Sequence, residues 1–288
     1  MVESFERYQP YLFSIAYRML GSAMDAEDMV QETYLRYQSV QPQTVTSLKA
    51  FLTTILTRLC MDQLHLARRT RETYLGPWLP EPIADIDMLE ATNPENRIDR
   101  DESVSLAFLV LLEELQPVER AVFLLREVFE YDYPEIAMFL GKSEMACRQA
   151  FSRARKHLAD HRPRFSVSPA THQQMLDGFL RAVRAGDMAT LMDMLSEDVT
   201  LWADGGGKVK GAATRPVTGR LAVARFSIGA TRRFLPGSYR VEFEEVNREP
   251  SIVIRDDHRA YLVIGIEAEA QRIRAIRIIA NPEKLTHV

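Results

Sequence analysis

Residues 132–158 read DYPEIAMFLGKSEMACRQAFSRARKHL, and this stretch decides how the helical part of the chain is organised. Pro134 suits the first turn of a helix, where its missing N–H costs no hydrogen bond. Ile136, Ala137 and Leu140 give that helix a short apolar face. Gly141 supplies a tight turn, and Ser143 caps the next helix. In that second helix Cys147, Phe151, Ala154 and Leu158 recur on one helical stripe, which predicts burial. Met145, Arg148, Gln149, Ser152, Arg153 and Lys156 fall on the other face. A short helix, a glycine turn and a basic second helix form a helix-turn-helix, whose second helix fits the DNA major groove.

The chemistry of that face suits nucleic acid. Seven bases stand against two acids over 142–164. Arg pairs bidentately with guanine edges and Gln with adenine edges. Arg155, Lys156, Arg162 and Arg164 suit phosphates, whose neutralisation gives salt-dependent affinity. The plainer alternative is a helical hairpin with a solvated basic face.

Outward from this motif the chain changes character three times. Residues 3–71 read as helices. Tyr8, Leu12, Ile15, Ala16, Met19 and Leu20 follow helical spacing, Gly21 stops the run, and Ser22 caps a second helix. Asp25, Glu27, Asp28, Gln31 and Glu32 build an acidic stripe on that second helix. It reads either as a dipole-stabilised surface or as a docking face for a basic partner. After a loop at 38–46, a third helix from about Ser47 to Thr70 carries Phe51, Leu52, Ile55, Leu56, Leu59 and Leu64. Its end bears Arg68, Arg69 and Arg71, with Arg58 further back, and this cluster suits phosphates or a cationic helix end. Residues 72–105 hold nine acids, two bases and four prolines, so a linker is expected. Beyond a junction at 166–172, two helices broken at Gly186 precede β-like runs at 198–203, 239–247, 251–255, 259–268 and 272–280, with a helix over 217–233. Helices followed by an antiparallel-looking sheet predict an α+β domain.

Composition narrows the classes. The 288 residues are 46% hydrophobic and 26% charged, with a net charge of −4, as in a soluble globular chain of two or three domains. MVESFERYQPYLF carries acids where an export signal needs bases, and no apolar run is long enough to span a bilayer. Two cysteines, Cys60 and Cys147, make no disulfide framework or zinc spacing, so a reducing cytoplasm is expected. No metal or cofactor motif is present in the sequence.

Three stretches resemble extracytoplasmic-function (ECF) RNA polymerase sigma factors. SIAYRMLGSAMDAEDMVQETYLRY and AFLTTILTRLCMDQLHLARRTRETY are similar to sigma region 2. LLEELQPVERAVFLLREVFEYDYPEIAMFLGKSEMACRQAFSRARKHL is similar to region 4. WLPEP (78–82), DGGGK (204–208) and NPEKL (281–285) resemble marks of a subgroup with a fused C-terminal SnoaL-like domain of the nuclear-transport-factor-2 (NTF2-like) superfamily. The resemblance implies an all-α region 2 (1–71), the linker (72–105), an all-α helix-turn-helix region 4 (106–165) and an α+β cone domain (170–288). It implies a sigma factor that takes RNA polymerase core to promoters. Asp25, Glu27, Asp28, Gln31 and Glu32 would meet the β′ clamp helices, with the β subunit a further partner. Arg58, Arg68, Arg69 and Arg71 would lie near the −10 strands. Arg148, Gln149, Ser152 and Arg153 would read the −35 element, with Arg155 on phosphate. Phe51 and Arg58 depart from the tryptophan and asparagine common in the wider family.

The last domain is expected to regulate the sigma core in cis. Trp78, Leu79, Pro80, Glu81 and Pro82 would meet Asp204, Gly205, Gly206, Gly207 and Lys208, and Asn281, Pro282, Glu283, Lys284 and Leu285, at one interdomain surface with Trp78 as buried anchor. Trp202, Asp204, Arg215, Tyr261 and Glu267 are candidates to line or rim a pocket for a small-molecule ligand. Catalysis is not expected, and fold analogy alone would be its warrant. The competing readings are a ligand-sensing DNA-binding regulator and an isomerase- or cyclase-like enzyme fused to a DNA-binding module.

Overall fold

A computed structural model of the protein describes residues 5–39, 47–84, 104–161, 167–235, 237–256 and 259–288, without the side chains of 68–70, 72, 160 and 161. The loop expected at 38–46 falls almost wholly outside the described residues, as does the acidic stretch 85–103. The chain forms two compact units. One contains 1–72 and 85–162, the other 73–84 and 163–288.

The first unit is all helical. Helix α1 (Gln9–Leu20) ends on Gly21, whose φ of 68° lets its N–H reach the Tyr17 carbonyl. Ser22 then caps α2 (Ala23–Gln38) by accepting from the Asp25 N–H. Helix α3 spans Leu48–Glu72. Next come short helices α4 (Leu106–Glu113) and α5 (Pro117–Phe123), the latter running into a π turn at Leu124–Val128. Helix α6 (Tyr133–Leu140) and helix α7 (Glu144–His161) complete the unit. The α1 sequence predicts one buried face, yet Tyr11 through Leu20 are all buried. The cause is tertiary: α2, α3 and the π turn all pack around α1. Phe139 on α6 is fully buried and meets Tyr131 edge-on at 4.9 Å.

The second unit is α+β. Ser168 caps α8 (Pro169–Ala185), so the expected junction at 166–172 is already the start of a helix. Gly186, at φ 71°, stops α8, and α9 (Met188–Met194) succeeds it. The strands are β1 (Leu195–Asp204), β2 (Val217–Thr218), β3 (Arg240–Val246), β4 (Glu249–Asp256), β5 (Arg259–Glu269) and β6 (Arg272–Ile279). Helix α10 (Arg220–Phe234) lies between β2 and β3 in sequence. The sheet order is β2-β1-β6-β5-β4-β3. The expected antiparallel sheet is in fact mixed, because β1 pairs β6 in parallel. Alternation of apolar and polar residues fixes which face a side chain takes, not strand direction. Leu176, Phe179, Leu191, Val199, Leu201, Val223, Ile252 and Ile276 join α8, α9 and α10 to the sheet in one core.

Among the described residues no helix is long and apolar enough to cross a membrane. Truncating a fully buried aromatic leaves a cavity as well as losing transfer energy, about 3–5 kcal/mol for Phe→Ala. Phe139→Ala is therefore expected to destabilise the helical unit by about that amount, read as a lowered urea midpoint of its transition.

Candidate functional site

The helix-turn-helix forms as its sequence directs. Asp132 and Glu135 make a reciprocal capping box at the start of α6, and Gly141 closes it at φ 61°. Ser143 accepts from the Ala146 N–H at 3.2 Å to start α7. Cys147, Ala150, Ala154 and Leu158 are buried. Phe151, expected with them, is only half-buried; it stacks on Phe123 and meets Tyr133 edge-on. Arg148, Gln149, Ser152, Arg153, Arg155 and Lys156 are all exposed on the opposite face. Two of these arginines are pre-positioned. Arg148 lies over the Tyr133 ring at 4.3 Å, and Arg153 Nε donates to Glu119 at 2.6 Å.

The arginines of α3 are held differently. Arg58 Nε donates to the Phe139 carbonyl at 3.1 Å, and its Nη2 to the Met138 carbonyl at 3.3 Å. These carbonyls are at the C-terminal end of α6, where a cation is favoured by the dipole. Arg71 pairs with Glu113 and donates to the Leu20 carbonyl at 3.1 Å. Glu113 also accepts from buried Arg120 at 2.7 Å, and Arg120 donates to the Met19 carbonyl at 2.8 Å. Burial lowers the Arg71 and Arg120 guanidinium pKa values, and the charge of Arg120 lowers Arg71 further. Arg71 is thus a tie inside the unit rather than a free phosphate contact. The backbone of Arg68 and Arg69 lies in α3, but their side chains are outside the described residues.

The acidic stripe of α2 divides in two. Glu27, Asp28 and Gln31 are exposed. Asp25 accepts from Gln63 at 3.0 Å, which ties α2 to α3, and Glu32 pairs with Arg36 at 2.9 Å.

In the second unit, the three short motifs come together around one buried carboxylate. Asp204, at the end of β1, is fully buried. Its Oδ2 accepts from the Leu79 N–H at 2.9 Å and from Lys284 Nζ at 2.8 Å. Its Oδ1 accepts from the Tyr74 hydroxyl at 2.5 Å and the Gly206 N–H at 3.1 Å. Its main-chain carbonyl accepts from the Ala280 and Asn281 N–H groups at 2.8 and 2.9 Å. Lys284 also donates to the Leu79 carbonyl at 2.5 Å and lies over the Trp78 ring at 4.0 Å. Lys208 pairs with Glu283 across the same junction. Burial and the neighbouring Asp204 charge raise the Tyr74 pKa, so the phenol stays a donor.

The glycines explain themselves by what a side chain would strike. A Cβ at Gly206, whose φ is +59°, would lie 2.5 Å from Asn281 Nδ2. One at Gly205 would lie 2.6 Å from the Ala212 Cβ. Trp78 is half-buried rather than the buried anchor expected of it; the deeper residues are Leu79, Pro80, Glu81 and Pro82. Because 73–84 belongs to the second unit, the junction forms within that unit.

Five participants escaped the sequence reading: Tyr74, Ile83, Asn247, Ala84 and His287. Tyr74 donates into the carboxylate, and Asn281 Nδ2 donates back to its hydroxyl at 3.1 Å. The Ile83 N–H donates to the Asn247 side chain at 3.0 Å, and the Asn247 N–H returns to the Ile83 carbonyl at 2.8 Å. Ala84 N–H donates to the His287 carbonyl at 2.9 Å, a two-segment pairing. The one signal available was Asn247 in a hairpin turn, where its φ of 53° suits asparagine.

A cavity of about 860 Å³, including its open mouth, lies between α8, α10 and the sheet. Of the five candidate pocket residues only Tyr261 lines it. Trp202 and Glu267 instead meet Arg277, which lies over the indole at 5.6 Å and donates to Glu267 at 3.0 Å. Asp204 is committed to the junction, and Arg215 is exposed away from the lining. Among the described residues no group of three or more His, Cys, Asp or Glu is placed to hold a metal ion.

Comparison with known proteins matches two family models to the helical part of the chain. The model of Sigma-70 region 2 matches residues 4–72, and that of Sigma-70, region 4 matches 105–158. The chain is similar to the ECF RNA polymerase sigma factor SigJ of Mycobacterium tuberculosis, at 37% identity over 302 residues, covering 99% of this chain and 93% of the relative. A probable ECF RNA polymerase sigma factor, SigI, of the same species is 29% identical over 282 residues, covering 96% and 92%. The crystal structure of M. tuberculosis SigJ superposes with a TM-score of 0.76 at 34% identity, covering 100% of this chain and 99% of that one.

Removing one partner of a buried ion pair leaves an uncompensated charge and costs about 3–5 kcal/mol. Lys284→Met should destabilise the second unit by about that amount, and Asp204→Asn added to it should recover part of the loss. Urea unfolding of both variants checks this. Equal stability of Lys284→Met and the parent would mean that the pair does not hold the junction.

Proposed function

The chain belongs to the ECF sigma-factor family, and from that premise we propose how its two units divide the work of promoter selection. The protein is a sigma factor, a specificity subunit for RNA polymerase in transcription initiation. In our reading Glu27, Asp28 and Gln31 dock the core, assisted by Asp25 and Glu32, whose partners orient them. Arg148, Gln149, Ser152 and Arg153 read the −35 element, and Arg155 contacts phosphate. Arg58, Arg68 and Arg69 serve the −10 region, while Arg71 holds the frame that positions them. Its place of action is the cytoplasm, with the polymerase.

The observation that carries the mechanism is Arg58 bonded to the end of α6. It couples a −10 residue directly to the helix-turn-helix. The two promoter elements are about 25 base pairs apart, roughly 85 Å at ~3.4 Å per pair. A compact unit of about 150 residues has a radius of gyration near ~15 Å. The closed helical unit therefore cannot serve both elements at once, and regions 2 and 4 must separate on the polymerase. Held by one large partner, two weak DNA contacts gain from effective concentration.

The C-terminal domain regulates that separation in cis. The chain joining α3 to α4 passes through residues 73–84, which Asp204, Asn247 and Lys284 grip. Gripping this connection limits how far regions 2 and 4 can part. Among the described residues the cavity lining holds no carboxylate, imidazole or thiol, and we read the domain as a binding module.

Three outcomes are expected in a reconstituted run-off assay with core polymerase. Reversing Glu27 and Asp28 to lysine should reduce core binding by about tenfold or more without loss of fold, since both are exposed. Lys284→Met should raise output by loosening the grip. Spin labels at Asp62→Cys and Met145→Cys should move apart when core is added. A transcribing complex with the free-protein distance would refute the opening, and no core-dependent transcription from any promoter library would refute the function.

A further inference from the structure

We propose that the cavity of the C-terminal unit binds a small amphipathic anion: an apolar body of medium length ending in a single carboxylate. Binding itself does not rest on the sigma-factor reading, although any effect on promoter output would.

The interior asks for an apolar body. Phe179, Val183, Phe226, Ile254, Leu262 and Ile264 form much of its wall. Two of the four hydroxyls in the lining, Ser227 and Tyr261, are already committed as donors. Ser227 Oγ donates to the Val223 carbonyl at 2.8 Å, and the Tyr261 hydroxyl donates to the Phe234 carbonyl at 2.9 Å. A polar group carried deep into the cavity would lose its water and meet a mostly apolar wall. Burying alkyl surface there is favourable in proportion to its area.

The mouth asks for negative charge. Arg184 and Lys210 both line the cavity and both are exposed, which puts their charges at its rim. Arg184 is held there over the Tyr239 ring, at 5.9 Å. Among the described residues neither cation takes part in an ion pair, and no acid lines the cavity to repel an anion. One end of the ligand is thus selected for charge and the other against it.

The wall nearest the mouth is shared with the junction. Val209, Lys210, Gly211 and Ala212 line the cavity and come directly after the 204–208 motif. Val209 N–H and Lys208 N–H both donate to the Gly205 carbonyl, at 3.2 and 2.9 Å. The Phe234 ring lies against Gly211, where a Cβ would be 2.3 Å from it, so this aromatic lid has a glycine as its seat.

Isothermal titration of the full chain with octanoate, with octanol as the uncharged control, tests the proposal. Octanoate should bind saturably at one site, and octanol about fivefold more weakly, the scale expected of solvent-screened cations. Ala230→Trp, which fills the cavity, should abolish binding while circular dichroism stays unchanged. Should that variant fail to fold, Arg184→Met with Lys210→Met remains decisive, because both side chains are on the surface. This double variant should bind octanoate no better than octanol. Absence of saturable octanoate binding, or a folded Ala230→Trp or double variant that binds like the parent, would overturn it.

Discussion

A carboxylate taken wholly out of water must be met by donors on every side, and Asp204 meets that requirement with donors from its own turn and from two distant stretches of chain. Tyr74 and Leu79 come from the connection between the helical regions, Gly206 from its own turn, and Lys284 from the C-terminal segment. The pair with Lys284 is not simply a source of stability, since desolvating two charges consumes much of their attraction. What it gives is uniqueness of position. A shift of any one segment leaves a charge or an amide unsatisfied, and such groups are costly when buried. The C-terminal domain therefore grips the connection by polar geometry that an apolar contact, free to slide, would not supply.

The helical unit uses the same logic in milder form. Its centre is apolar, built on α1 and the aromatic pair Tyr131–Phe139. Its seams are polar: Arg58 to the end of α6, Arg71 and Arg120 to Glu113, and a hydroxyl cluster of Tyr11, Tyr131 and Thr53. Arg58 bonds two carbonyls that water can also satisfy once the helices part. Such a contact closes the unit through bonds that water can replace, which is compatible with the opening proposed above. Arg71, half-buried and joined to Glu113, belongs instead to the frame.

Much of this was legible in the sequence because the signals are local. Gly21, Ser22, Pro134, Gly141, Ser143 and Gly186 mark helix ends by backbone chemistry that needs no tertiary partner. The basic face of α7 can be read from the spacing of its apolar residues. The junction was legible only as three short motifs, since their meeting depends on contacts between residues more than 200 positions apart, such as Lys284 with Leu79. Tyr74 and Asn247 were invisible for that reason: neither differs from an ordinary linker tyrosine or turn asparagine until its partner is in place. The parallel pairing of β1 with β6 was hidden because side-chain alternation is blind to strand direction. The occupation of Arg58 by α6 was equally hidden, because a cationic side chain reads the same whether it faces phosphate or a carbonyl.

One loop carries two obligations, and their conflict explains its composition. Residues 204–208 must bring a buried carboxylate within reach of Lys284, and 209–212 must form one wall of a cavity. The turn needs positive φ at Gly206 and Gly207, and the wall needs it again at Gly211. A Cβ at Gly206 would strike Asn281 on the junction side, and one at Gly211 would strike Phe234 on the cavity side. The segment is therefore pinned at both ends by close approach rather than by bulk. Glycine is flexible in an unfolded chain, but here each is fixed by what it touches. Displacement of the wall by anything lodged beneath Phe234 has only a few residues in which to dissipate before it reaches Asp204. The shortness of that path, more than any single contact, makes the cavity and the grip on the helical connection parts of one mechanical element.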